Sequence, residues 1–394
     1  MTAVATETEL KLRFSPSCLH EVLSSPLLTS PRGTRTQQLC AVYFDTPALH
    51  LWRNRVALRV RREGGRWLQA VKGGGTVESG VHARLEIETV IGSDRPDVSV
   101  LPVHPITKIL RSRKIAAALV PVLHTEITRT LRLLEPAPGV LIEAAIDRGV
   151  IRSGRRRERI CELELELKSG PVSALLDLAQ RLAEQVPLAL EHRSKAERGY
   201  ALFNPQLAVP AKASPVPLTR KMSTGDAFRA IAAAGLAQIQ GNERGVIESG
   251  NPEYLHQMRV GIRRLRSALS LFREVLGEPA RPHAATLRAV SADLAPARDW
   301  DVLVTETLPA AAAAAALRTG TAAFATVCAR CRAAARRNAK KSIKTTDYNI
   351  LMLKLGRWLA TLPPAGIAAW REPARTHAAR VLAKVHLLRY FSVP

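Results

Sequence analysis

Residues 160–168 read ICELELELK, and this alternation constrains the fold more than any other stretch of the chain. Side chains at i, i+2 and i+4 of a strand share a face. Glu162, Glu164, Glu166 and Lys168 therefore lie on one side and Leu163, Leu165 and Leu167 on the other. The pattern recurs. In 6–12, Glu7, Glu9 and Lys11 oppose Leu10 and Leu12; in 55–62, Arg59 and Arg61 oppose Leu58 and Val60. In 81–90, Arg84, Glu86 and Glu88 oppose Leu85 and Ile87; in 140–147, Glu143 and Asp147 oppose Ile142 and Ile146. Two architectures satisfy such strands: a one-sided sheet with its charges in water, or a closed barrel with apolar faces outward under covering helices and charges lining the interior.

Period-2 segments at 6–13, 39–44, 55–62, 66–72, 81–90, 125–134, 140–147 and 160–168 are separated by turn signals such as EGG, KGGG, EPAPG and DRGVIRSGR. Helical spacing is confined to 105–119 and 171–186, both opening on Pro. Many strands with few helices predict an antiparallel barrel or strongly curved sheet. Residues 203–222 hold four prolines and little periodicity, as a linker does. From 223 the chain is rich in Ala, Leu and Arg at helical spacing and predicts a helical bundle. The expected class is α+β, with a β-barrel domain over 1–202 and an all-α domain over 223–394.

Carboxylates crowded into a barrel repel one another and lose hydration, so they need cations. Mg²⁺ and Mn²⁺ prefer carboxylate oxygens, and guanidinium or ammonium groups suit phosphate oxygens. A tunnel carrying both would fit a metal–triphosphate complex. Net charge points the same way: +24 overall, with 28 Lys+Arg against 12 Asp+Glu in 211–394 and 30 against 22 before it. Such an excess implies a polyanionic partner. Aromatics are only 4%, which disfavours stacking on single-stranded nucleic acid. No GxxxxGK[ST] loop and no Ser/His/Asp or Cys/His constellation of comparable strength is present. Cys328 and Cys331 form a CxxC on an expected helix with no second pair, so zinc and redox roles are not supported. No apolar run long enough to span a membrane and no secretory leader is read, and five scattered cysteines suit a reducing cytoplasm.

The stretch ETELK at 7–11 matches the Glu-x-Glu-x-Lys signature of the CYTH superfamily, the triphosphate tunnel metalloenzymes. VYFDTPALHLWRNRVALRVRR, LQAVKGGG, RLEIE, TRTLRLL, LIEAAIDRGVI, ICELELELKSG and HRSKAERGY follow in family order up to residue 200. The resemblance implies that Glu7, Glu9, Glu162 and Glu164 hold Mg²⁺ or Mn²⁺. It implies that Lys11, Arg59, Arg61, Lys72, Arg84, Arg129 and Lys195 bind phosphate. Glu7, Glu9, Lys11, Glu86, Glu88 and Asp147 are the implied catalytic set. Some relatives carry a second basic residue two before the Arg129 position, where this chain has Ile127. The implied activity is metal-assisted hydrolysis of inorganic tripolyphosphate or a related short triphosphate, with cations neutralising phosphate charge and activating water. Alternatives left open are a catalytically idle polyphosphate-binding protein, and nucleotide or thiamine triphosphate chemistry as in class IV adenylate cyclases.

In the helical half, YLHQMRVGIRRLRSALSLFRE (254–274) places Met258, Ile262, Leu265, Leu269 and Phe272 in one arc and His256, Arg259, Arg263, Arg266 and Arg273 roughly opposite. This order, with RDWDVL at 298–303, resembles the CHAD domain, a helical module associated with polyphosphate. His256, Arg259, Arg263 and Arg266 are its implied polyphosphate contacts. A second His–Arg helix is expected to be incomplete, because HLLRY at 386–390 is followed closely by Pro394. The expected setting is cytoplasmic, in contact with polyphosphate granules or not, with no membrane partner and with duplex nucleic acid ranked last; a homodimer is compatible with all of this.

Overall fold

The computed structural model describes residues 3–30, 33–78, 80–219, 221–314, 321–362 and 370–380. The chain divides into two compact units, Met1–Val209 and Pro210–Pro394.

Unit 1 is built on nine antiparallel strands: β1 (Ala3–Phe14), β2 (Thr34–Asp45), β3 (Val56–Glu63), β4 (Arg66–Glu78), β5 (Val81–Ile91), β6 (Val120–Ala137), β7 (Val140–Ser153), β8 (Arg156–Ser169) and β9 (Leu188–Leu190). The sheet order is β5-β4-β3-β2-β6-β7-β8-β1-β9, and β1 also pairs with β5. That pairing closes an eight-stranded barrel and leaves β9 as a short addition beside Leu12–Phe14 of β1. Closure removes the exposed edges that an open sheet of this length would present.

The leucines face outward, under cover. Leu10, Leu12, Leu163 and Leu165 are all fully buried on the outer wall. Helix α1 (Val172–Gln185) lies over β8 and β1 and buries Leu175, Leu176, Ala179 and Leu182. The outer wall of β3–β5 is covered by residues 98–117, whose Leu101, Ile106 and Leu110 pack on Leu58, Val60, Val71 and Ile87. The helix expected over 105–119 is a 3-10 turn at Pro105–Arg111 and a short helix at Arg113–Ala117. Ser112 between them is extended (φ −68°, ψ 116°), and the Thr107 hydroxyl donates back to Pro102 O and His104 O, which tightens the first turn. KGGG, read as a turn, lies inside β4 as a bulge. Gly74 and Gly75 adopt φ +63° and +95°, and a Cβ at Gly75 would meet Ala83 O at 1.9 Å.

One end of the barrel interior is apolar. Leu39, Ile127, Ile151 and Ile160 occupy the inward register of β2, β6, β7 and β8. They pack on Ala196 and Tyr200 of helix α2 (Lys195–Phe203), which contacts β6, β7 and β8. Ser194 caps this helix in a reciprocal box with Glu197. The Tyr200 hydroxyl donates to Asp45 Oδ2 at 2.9 Å. Asp45, fully buried, also accepts from the backbone N–H groups of Thr46, Leu51 and Trp52.

Unit 2 is helical: α3 (Thr224–Glu248), α4 (Pro252–Leu271), α5 (Arg281–Val302), α6 (Thr321–Ser342) and α7 (Thr346–Thr361), with the shorter helical segments Arg273–Leu276, Leu303–Thr307 and Leu308–Ala314 besides. Met258, Ile262 and Leu265 of α4 are fully buried and Leu269 nearly so, as their spacing predicts. Phe272 ends the helix (φ −99°, ψ 11°), so Arg273 belongs to a separate short turn rather than to the α4 stripe. The residues 386–390 lie outside the described residues. No helix among the described residues is long and apolar enough to cross a membrane.

Candidate functional site: the charged interior of the barrel

The inward faces of the strands bring most of the sequence-selected residues into one compensated network. At the α2 end, Arg129 of β6 grips Asp147 with two hydrogen bonds (2.7 and 2.6 Å) and donates to Glu164 at 2.6 Å. Lys195, at the first turn of α2, reaches Asp147 at 2.8 Å and Glu164 at 2.9 Å and also pairs with Glu162. Arg198, one helical turn on, pairs with Glu162 and with Glu158 at 2.8 Å. Lys11 pairs with Glu9 and lies 3.0 Å from Glu164. Toward β3–β5, Lys72 contacts Glu7 at 2.6 Å and Glu86 at 3.2 Å, while Arg59 reaches Glu86 at 3.2 Å. Arg61 bridges Glu88 and Glu63, both at 2.9 Å. Arg84 is held by Glu197 of the α2 cap at 3.2 Å.

Burial raises the stakes of each pair, since unpaired charge in a dry interior is costly. Glu164 is pushed up by burial, but Lys11, Lys195 and Arg129 outweigh it and hold the carboxyl well below the usual range. Burial likewise works against the Lys195 and Lys11 ammoniums, and the carboxylates around each raise them above the ordinary lysine value. Glu7 and Glu86 split. Burial and a hydrogen bond to Glu86 raise Glu7, whereas Glu86 is lowered against burial by that same bond, Lys72 and Arg59. His82 stands inward beside Glu9 in the β1–β5 register and is fully buried. Neither ring nitrogen has a hydrogen-bond partner among the described residues, and burial with Lys11 and Arg84 nearby pushes it down to about 3.

Asp147, Glu162 and Glu164 each offer a carboxylate oxygen within 4.8 Å of the others. All-oxygen, anionic and close, this donor set suits a hard divalent cation. The Lys195 ammonium reaches all three carboxylates, so a metal there would share or displace that charge. Of the sequence-selected metal set, Glu162 and Glu164 meet in this cluster, with Asp147 as third member; Glu7 and Glu9 are engaged by Lys72 and Lys11 instead. Arg198, Asp45, Tyr200 and His82 were not singled out from sequence. Arg198 alone carried a signal, since it follows Lys195 by three residues on a helix and must share its face.

In unit 2, His256, Arg259, Arg263 and Arg266 lie along α4 at spacings of three to four residues, and Arg259 donates to Ser291 O of α5 at 2.9 Å. Asp301, fully buried, accepts from Arg332 at 2.7 Å.

A closed β-barrel with an ion-paired interior, followed by a basic helical unit, is the class of protein that this architecture defines. Residues 5–200 are a CYTH domain and residues 230–389 a CHAD domain, by their match to the models of those two families. An inorganic triphosphatase of Haemophilus influenzae is 31% identical over 202 residues, which is 51% of this chain and 56% of that protein. The chain thus spans little more than half the length of this relative. Among solved structures, the CHAD domain of the plant Ricinus communis is 34% identical over 45% of this chain and 58% of its own, with a TM-score of 0.39. A Hippeastrum protein with a dominant triphosphatase activity is 23% identical over 51% of this chain and 96% of its own, with a TM-score of 0.38.

Proposed function

We propose that unit 1 is a divalent-metal-dependent triphosphatase acting on inorganic tripolyphosphate or a related short triphosphate, and that unit 2 binds polyphosphate. The observation that carries the reading is the interior itself: Lys11, Arg129 and Lys195 pair with the cluster Asp147, Glu162 and Glu164, and Arg59 and Lys72 pair with Glu86 and Glu7 toward β3–β5 of the same interior. Arg59, Arg61, Lys72 and Arg84 would take phosphate oxygens, trading carboxylate partners for substrate. Asp147, Glu162 and Glu164 would hold Mg²⁺ or Mn²⁺, with Glu9 close by through Lys11. When bound, the cation would neutralise phosphate charge and lower the pKa of a coordinated water. Lys195 and Arg129 position the carboxylates for it. Glu7, its carboxyl raised by burial, lies against Lys72, one of the cations that would take phosphate oxygens. Five free thiols at Cys18, Cys40, Cys161, Cys328 and Cys331 fit action in the cytoplasm.

The test is phosphate release from tripolyphosphate with Mg²⁺ or Mn²⁺, with and without EDTA. Glu164→Ala and Glu7→Ala should each lower turnover at least a hundredfold; unchanged turnover in both would remove the tunnel assignment. One observation favours a second reading, a binding protein without turnover: Lys195 already compensates the three carboxylates without a metal. Tripolyphosphate binding that survives EDTA with no phosphate released would support it.

A further inference from the structure

The outer wall of the barrel carries a charge pattern that the interior chemistry does not use. The β7–β8 hairpin reads RGVIRSGRRRER over 148–159, and Arg148, Arg152, Arg155, Arg156, Arg157 and Arg159 are all exposed. Register sorts them. Gly149, Ile151 and Ile160 take the inward face, so Arg148, Arg152, Arg157 and Arg159 stand outward on the two adjoining strands. Arg152 lies directly opposite Arg157, and Arg148 opposite Cys161. Like charges directly opposite in an antiparallel pair repel at a Cβ separation of about 5 Å. Nearby acids do little to relieve this. Glu126 reaches Arg152 at 3.3 Å, and Glu158 is engaged by Arg198. Arg148, Arg157 and Arg159 have no ion-pair partner among the described residues.

We propose that this arginine ladder is a second polyanion site, outside the tunnel, and that its ligand is long-chain inorganic polyphosphate. Arg157 and Arg159 stand about 6.8 Å apart along β8, Arg148 and Arg152 about twice that along β7, and the two strands lie about 4.8 Å apart, so guanidinium forks can meet a linear phosphate chain along its length. A short triphosphate would cover only part of that span. Duplex nucleic acid fits poorly. A two-stranded ribbon enters the major groove when it stands free, and here β6 flanks β7 from Val140 as far as Arg152. No aromatic side chain interleaves the four outward arginines to stack on single strands. An anionic membrane would call for apolar side chains among the arginines, and Val150 and Cys161 beside them are only partly exposed. The choice of polyphosphate over other linear polyanions rests on the function proposed for the tunnel; the cationic surface does not.

The deciding measurement is arginine modification by phenylglyoxal on the full chain, read peptide by peptide by mass spectrometry. Polyphosphate of about a hundred units should slow modification of Arg148, Arg152, Arg157 and Arg159 tenfold or more. Tripolyphosphate at equal phosphate concentration should leave them near the free rate. In R152E/R157E, protection of Arg148 and Arg159 should be lost, while tripolyphosphate turnover and any protection of Arg263 on α4 stay as in the parent. Absence of protection by long polyphosphate overturns the site. Equal protection by duplex DNA, or by vesicles of phosphatidylglycerol and phosphatidylcholine, overturns the ligand. Turnover is scored separately, so a parent that protects its ladder but releases no phosphate overturns the triphosphatase reading and leaves the ladder standing.

Discussion

Lys195→Met offers the sharpest probe of the interior, because it keeps most of the side-chain volume and removes one charge. Lys195 faces Asp147, Glu162 and Glu164, with the first two 0% and 1% exposed. Breaking a buried pair by deleting one partner costs ~3–5 kcal/mol. Each carboxylate here keeps another cation: Arg129 for Asp147 and Glu164, Lys11 for Glu164, and Arg198 for Glu162. The expected loss is therefore at the lower end, ~3 kcal/mol in EDTA. The same deletion frees the three oxygens for a divalent cation, and ligand linkage at a hundredfold excess over Kd returns ~2.7 kcal/mol. The variant should therefore be less stable than the parent in chelator and recover most of the deficit in Mg²⁺ or Mn²⁺, whereas the parent gains less because the metal must displace an ammonium. Hydrogen exchange on barrel-strand peptides is the appropriate assay, since it reads the barrel apart from the helical unit. Equal stability of variant and parent in EDTA, with equal metal stabilisation of both, would refute this account of the cluster.

Three further outcomes follow from the geometry. Tyr200→Phe leaves the Asp45 carboxylate one donor short and should cost the barrel ~1–3 kcal/mol in urea unfolding; no change would mean that α2 is anchored by its apolar face alone. Gly149→Ala would place a Cβ 2.0 Å from Glu126 O, forcing β6 and β7 apart, and should cost about 3 kcal/mol, seen as lost amide protection in both strands. Acid should weaken the barrel. The Glu164 carboxyl is lowered in the fold, so its stabilisation is complete above the ordinary glutamate value and is lost as pH falls below it. His82 is lowered from 6.5 to about 3, so the unfolded chain takes up its proton first and stability also falls with pH between those values. His82→Gln, which cannot take that proton, should flatten the slope in circular-dichroism melts; an unchanged slope would count against a dry His82.

Much of the barrel was legible because strand alternation survives wherever one face is charged and the other is leucine. Strands over-run the read segments where that contrast fades, as in TRTQQ at the start of β2 and PVLH near the start of β6. In the second half of β7 both faces lose their contrast, because Ile151 points inward and Arg148 and Arg152 outward, inverting the rule that holds for Glu143 and Asp147. Alternation also could not say which face is inside; the closing β1–β5 pairing decides it. The pairing of Lys195 with Glu162 and Glu164 crosses about thirty residues, and that of Tyr200 with Asp45 joins positions 155 apart, so neither leaves a local pattern. Ile127, conspicuous in sequence as a missing basic residue, is one of the apolar side chains packed on α2.

That apolar end also sets a rule of traffic. With α2 seated against Leu39, Ile127, Ile151 and Ile160, the interior is a vessel with a floor rather than a pipe. Under the function proposed above, a phosphate chain would enter by one end rather than thread through, and the released product would leave past the remainder of its own substrate. Chain length would then be judged at the rim, by how much polymer can wait outside while its last few phosphates are held below.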